Sequence, residues 1–224
     1  MKLSRTLILT AGLLAGSAAL SWGASGLFDR GYNIDGVVNI AGDGGVLPPA
    51  GVDESNLGLG KGVGTVQVTV AGAGAHYVAF FVDHEIDELD NTFFNEFGSV
   101  SGVAPAGLSW EIDEPEFLFG DIVSNFTIAS LDNSNGVPAG MEDDVSMAIG
   151  WDFVLAEGEF ARVNFSVAEE APAGGFYLQQ TDPDSNMSIF FSSSLVIIPE
   201  PSSLALVAVA LMGLFLSRRR RTRS

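Results

Sequence analysis

Apolar and polar residues alternate in short runs along much of this chain, and clusters of glycine, proline, asparagine and aspartate separate the runs. A period of two places one set of side chains against a core and the other in water, which predicts antiparallel strands. GTVQVTVAG sets Val66, Val68 and Val70 on one face and Thr65, Gln67 and Thr69 on the other. HYVAFFVD follows a turn of small residues, where Gly72 and Gly74 suit a hairpin. DIVSNFTIAS places Ile122, Ser124, Phe126 and Ile128 on one side and reads as another strand. VSMAIGWDFVLA runs through EGE into FARVNFSVA, where Phe160, Val163, Phe165 and Val167 recur and Gly158 supplies a permissive turn, so a second hairpin is expected. GFYLQQT and SIFFSSSLVII read as two more strands, the latter running straight into Pro199.

AGDGGVLPPAGVDESNLGLGKG and SVSGVAPAGLS read as long loops. Between Asp87 and Phe97, a short helix with Leu89, Phe93, Phe94 and Phe97 on one face competes with an irregular loop. Frequent turns between short strands predict an all-β fold. We expect one antiparallel β-sandwich, jelly-roll or immunoglobulin-like, over residues 24–198.

Both ends depart from this pattern. Lys2 and Arg5 precede an apolar stretch from Leu7 to Leu20, and the small residues Ser21 and Gly23 suit cleavage after Gly23. Residues 1–23 therefore read as a secretory signal peptide. At the other end, residues 202–217 are largely apolar and would reach only ~24 Å as a helix, short of a ~30 Å hydrocarbon core. Such a transmembrane helix needs local thinning of the bilayer. Arg218, Arg219, Arg220, Arg221 and Arg223 hold its far end on the cytoplasmic side. Pro199 and Pro201 flank Glu200, and each proline lacks an amide hydrogen and restricts its predecessor. The tripeptide is expected to stand as a stiff tether outside any helix or central strand.

In this order, Pro-Glu-Pro, a short apolar helix and a terminal arginine cluster, behind a signal peptide, resemble the PEP-CTERM sorting signal of Gram-negative bacteria. The resemblance covers residues 199–224. It implies export, recognition of Pro199, Glu200 and Pro201 by the membrane protease exosortase, removal of a transient membrane anchor, and delivery to the surface, often alongside exopolysaccharide. NTFFNEFGSVSG, SWEIDEP, LDNSNGVPAG and FYLQQTDPDSN resemble ectodomains that accompany such tails, with no activity attached to any residue.

Charge sharpens the picture. The net charge is −18, yet seven of the ten basic residues, Lys2, Arg5 and the five terminal arginines, lie in the end segments. The central domain keeps only Arg30, Lys61 and Arg162, so its acidity argues against nucleic acid as a partner. With no cysteine there is neither a disulfide nor thiol chemistry, and stability must come from the core, with bound ions an open second source. His76 and His84 are the only imidazoles, and no GxSxG elbow presents a serine. His84, between Asp83 and Glu85, reads as a charge-flanked surface residue. The expectation is that the protein is not an enzyme.

Calcium is the one candidate cofactor. Asp83, Glu85 and Asp87 alternate as oxygen ligands do around that ion, although a solvated strand end explains them too. Asp182 and Asp184 in TDPDSNMS are a second candidate against an ordinary Asp-Pro turn. Turn chemistry also accounts for Asp132, Asn133, Asn135, Glu142, Asp143 and Asp144. Trp110, Trp151, Tyr32, Tyr77 and Tyr177 would stack on sugars if exposed, or fill the core. Two functions remain: a structural or adhesive surface protein of an exopolysaccharide matrix or biofilm, and a calcium-assisted carbohydrate-binding module.

Overall fold

The computed structural model describes residues 25–42, 48–86, 93–115 and 119–199. The expected signal peptide, Asp87, and everything from Glu200 onward, including the expected helix at 202–217 and the arginine cluster, lie outside the described residues. Among the described residues no helix is long and apolar enough to cross a membrane.

The described chain is mostly β, and every pairing between its named strands is antiparallel. Its strands are β1 (Ser25–Ile34), β2 (Val37–Ile40), β3 (Val52–Gly58), β4 (Val63–Ala71), β5 (Gly74–Ile86), β6 (Phe97–Ser101), β7 (Leu108–Asp113), β8 (Ser146–Leu155), β9 (Glu159–Ala168), β10 (Tyr177–Asp182) and β11 (Met187–Pro199). They form a five-stranded sheet, β2-β1-β5-β8-β7, and a six-stranded sheet, β3-β4-β9-β11-β10-β6. The strand count exceeds the seven to nine of immunoglobulin sandwiches and the eight of a jelly roll.

Alternation builds the main core between the sheets. Val66, Val68 and Val70 of β4 and Ala161, Val163, Phe165 and Val167 of β9 face Val78, Phe80 and Val82 of β5 and Met147, Ile149 and Trp151 of β8. Phe80 sits at the centre, 4.9 Å from the ring of Tyr32, 5.5 Å from Phe165 and 5.8 Å from Phe191. Burying each such side chain contributes about 1.5–3 kcal/mol.

A second, smaller core covers the outer face of the five-stranded sheet. Tyr77, Ala79 and Phe81 of β5 and Ala148 of β8 pack there with Ile40, Leu131 and the helix α1 (Ile122–Thr127), through Ile122 and Phe126. Strand β5 is thus buried on both faces from Tyr77 to Ile86. That is why HYVAFFVD is a continuous apolar run and not an alternating one.

Several expectations are corrected here. DIVSNFTIAS is not a strand, because Ile122 and Phe126, four residues apart, bury one face of α1. A spacing of four satisfies both periods, and packing on Phe81, 5.8 Å from Phe126, decides for the helix. The two expected hairpins are links between sheets. β4 and β9 lie in the six-stranded sheet, whereas β5 and β8 lie in the five-stranded one. Their core-facing residues oppose one another across the sandwich, which a hairpin in one plane would not allow. The hairpins that do form are β1–β2, β3–β4 and β10–β11. The first turns at Asp35 and Gly36, both at positive φ, as a tight two-residue turn requires.

The expected loops contain structure as well: β3 falls within the first, and β6 enters the second, leaving Gly102–Gly107 between β6 and β7. Over Asp87–Phe97, where a short helix competed with an irregular loop, the described part is a single 3₁₀ turn at Phe93–Asn95, with Phe94 exposed, and Phe97 opens β6. Pro199 does not stand outside the sheet. It is the last residue of β11, paired with Glu159. Beyond Ser192, β11 pairs with β9 alone, so a missing amide hydrogen at the strand end is tolerated.

Candidate functional site

The end of β5 carries the densest chemistry. Val82 and Ile86 belong to the inter-sheet core, so alternation sends His84 inward with them and Asp83 and Glu85 to the outer face beside Phe81. His84 is therefore not a surface residue. Its ring is fully buried over Gly62, and burial holds its pKa down to about 4 against a weaker pull from the backbone of Gly62 and Lys61. The imidazole is neutral at pH 7.

On the outer face, Asp83 pairs with Asp29 of β1 and with Ser146 of β8. Continued by two residues, the β5–β8 register sets Glu85 opposite Asp144. Asp83, Glu85 and Asp144 each bring a carboxylate oxygen within 4.8 Å of the others. Asp83 and Glu85 are buried, and Asp144 is half-buried. Oδ1 of Asp83 and Oδ1 of Asp144 are shielded from solvent and accept no hydrogen bond. Burial pushes the Asp83 carboxyl well above its usual range, and the carboxylates of Asp144, Glu85, Asp29 and Glu96 push the same way. Asp144 rises to about 6 through burial, with help from Asp143 and Glu114.

Glu96 lies behind this group. Its Oε1 accepts the amide of Ile86 at 2.9 Å, and its Oε2 accepts Nε2 of Gln180. The same Gln180 nitrogen donates to the carbonyl of His84 at 2.5 Å, tying β10 across the sandwich to β5. Burial raises Glu96 to about 8, so it carries a proton at neutral pH.

Of the expected calcium set, the structure brings Asp83 and Glu85 together, while Asp87 lies outside the described residues. Asp144, read from the sequence as part of a turn, joins them in its place. The β5–β8 pairing that does this spans about sixty residues of sequence, and no local signal announces it.

The second candidate pair is engaged by its own turn. Asp182 accepts the amides of Asp184 at 3.0 Å and Ser185 at 3.1 Å, the hydroxyl of Ser185 at 2.5 Å, and Nδ2 of Asn95 at 3.2 Å. Asp184 accepts the same Asn95 amide at 3.1 Å. A further acidic group, Glu111, Asp121 and Asp132, also meets protein donors: Glu111 accepts Asn125 Nδ2 at 3.0 Å and the Asp132 amide at 3.3 Å.

The aromatic candidates are mostly core. Tyr32, Tyr77 and Trp151 are buried. Trp110 and Tyr177 are half-buried against Phe176 and Phe190 at 6.0 and 5.8 Å. His76 bonds Asp35 at 2.9 Å and the Gly72 carbonyl at 2.8 Å, which raises its pKa.

The remaining candidate is the C-terminal segment, where β11 delivers an extended, half-paired strand ending in proline to the residues beyond it. In sequence that strand runs straight into the proline-flanked Glu200. Residues 198–221 match the PEP-CTERM protein-sorting motif. The chain carries that motif, which implies an exported, exosortase-sorted protein directed to the surface of a Gram-negative cell. No curated protein and no solved structure matches the chain.

Proposed function

We propose that this protein works on the cell surface or in the extracellular matrix, in a structural or adhesive role tied to exopolysaccharide and biofilm, and catalyses no reaction. The signal peptide carries it through the inner membrane. Residues 202–217 then anchor it transiently, with Arg218, Arg219, Arg220, Arg221 and Arg223 on the cytoplasmic side, until exosortase cuts at or near Pro199, Glu200 and Pro201. The observation that supports this reading is the motif over 198–221, which begins inside the last strand of the sandwich. The folded domain therefore sits immediately outside the membrane before processing.

The test replaces Pro199, Glu200 and Pro201 together by alanine in the native host. The protein should then accumulate in the membrane fraction at full length and vanish from the surface. Unchanged surface yield would remove the basis of the reading.

A calcium-assisted carbohydrate-binding module is the second reading, favoured by the acidic group on β5 and β8. It predicts co-sedimentation with host polysaccharide that chelation abolishes. Co-sedimentation unaffected by chelator, or none at all, would count against it.

A further inference from the structure

Three carboxylates gathered at the edge of a core need a counter-charge. Among the described residues, every basic side chain is engaged elsewhere. Arg30 pairs with Glu54 at 3.0 Å, Lys61 with Glu169 at 2.9 Å, and His76 with Asp35 at 2.9 Å. Arg162 lies over the ring of Phe160, and His84 points to the opposite face of the sheet. Among the described residues, therefore, no basic side chain is left to neutralise Asp83 or Asp144.

Nor do donors among the described residues meet the shielded Oδ1 atoms of Asp83 and Asp144. Asp83 is only 2 % exposed, and its Oδ1 accepts no hydrogen bond. Oδ1 of Asp144 is equally shielded and equally without a donor. The contrast lies in the same molecule: Asp182 and Glu111 are as deeply buried as Asp83, and their carboxylates are met by amides and a hydroxyl. Burying a carboxylate oxygen without a partner is costly, so what faces Asp83 is expected to be positively charged.

We propose that Asp83, Glu85 and Asp144 form a calcium site on the outer face of the five-stranded sheet, where the ion clamps the end of β5 to the residue segment that starts β8. The ligand set is oxygen alone, which selects a hard cation over zinc or copper. Calcium binds its oxygens at about 2.3–2.6 Å, so ligands on one ion lie at most about 4.6–5.2 Å apart. The three oxygens, all within 4.8 Å of one another, fit that shell. Half-buried Asp144 leaves a side open for entry, and waters complete the coordination. This inference stands apart from the sorting reading, which depends on the tail and can fail separately.

The test uses the full chain in mild detergent, stripped with chelator and titrated with calcium chloride while binding and melting are followed. We expect saturable uptake of one ion per chain and a rise in melting temperature. Asp83→Asn and Asp144→Asn should each weaken binding about tenfold or more. In chelator, Asp83→Asn should melt no lower than the unaltered protein, because the amide removes one of three crowded like charges. Asp144→Asn, at the less buried position, keeps the test open should Asp83→Asn fold poorly. No calcium response up to millimolar concentration, or a response that survives in Asp144→Asn, overturns the proposal.

Discussion

Phe80 offers the sharpest test of the packing that holds the two sheets together. It is fully buried and meets three rings, Tyr32, Phe165 and Phe191, from both sheets. Phe80→Ala loses the transfer energy of the ring and leaves a cavity, together about 3–5 kcal/mol. Aromatic pairs add about 0.5–1.5 kcal/mol each beyond area burial, which puts this site at the top of that range. A loss of ~5 kcal/mol is a third or more of the 5–15 kcal/mol typical of a native domain. At roughly 2–4 °C per kcal/mol for a chain of this size, the melting temperature falls by about 10–20 °C. Urea melts followed by circular dichroism read this directly, with Phe28→Ala as the control. Phe28 is 74 % exposed and should shift stability by no more than ~0.5 kcal/mol. A Phe80→Ala protein within ~1 kcal/mol of the parent would refute the two-sheet core.

Two further outcomes follow from buried acids. Asp182→Ala strips an acceptor from two amides, one hydroxyl and the Asn95 side chain, and should cost about 2–4 kcal/mol in a urea melt; a loss below ~0.5 kcal/mol would show that the turn does not depend on it. Glu111 is raised from 4.5 to about 7 by burial, so the folded state holds its proton over a window where the unfolded chain has released it. Stability from this group is therefore greatest below about 4.5, declines as pH rises towards 7, and is flat above. Glu111→Gln should reduce that downward slope, and identical slopes in the two proteins would contradict the assignment.

The fold was legible where one face of a strand meets the core and the other meets water. Val66, Val68 and Val70 show this, as do Val163, Phe165 and Val167, and all six are buried. It was illegible where both faces are covered, as in β5, because alternation vanishes there and His84 loses the contrast that would mark it as inward. Proximity in sequence misled as well, since β4 and β5, and β8 and β9, are successive strands that cross between sheets. Asp35-Gly36 carries a hairpin signal at the β1–β2 turn that the strand reading passed over. In α1, the four-residue step from Ile122 to Phe126 satisfies a strand and a helix equally, and only the apolar outer face of the sheet decides between them.

The candidate site was half legible for the same reason. Asp83 and Glu85 are two residues apart on one strand and necessarily share a face. Asp144 reaches them only through the β5–β8 register, a long-range pairing. The sorting motif needed no fold, because proline, hydropathy and charge in a fixed order are properties of the sequence itself.

The central claim concerns what happens at the end of β11, and mass spectrometry of the protein from its native host tests it most directly. With exosortase active, the account predicts a chain that has lost Arg218, Arg219, Arg220, Arg221 and Arg223 and ends at or near the Pro199–Pro201 segment; with exosortase inactivated, it predicts that the tail is retained. An intact C-terminus in both strains would contradict it.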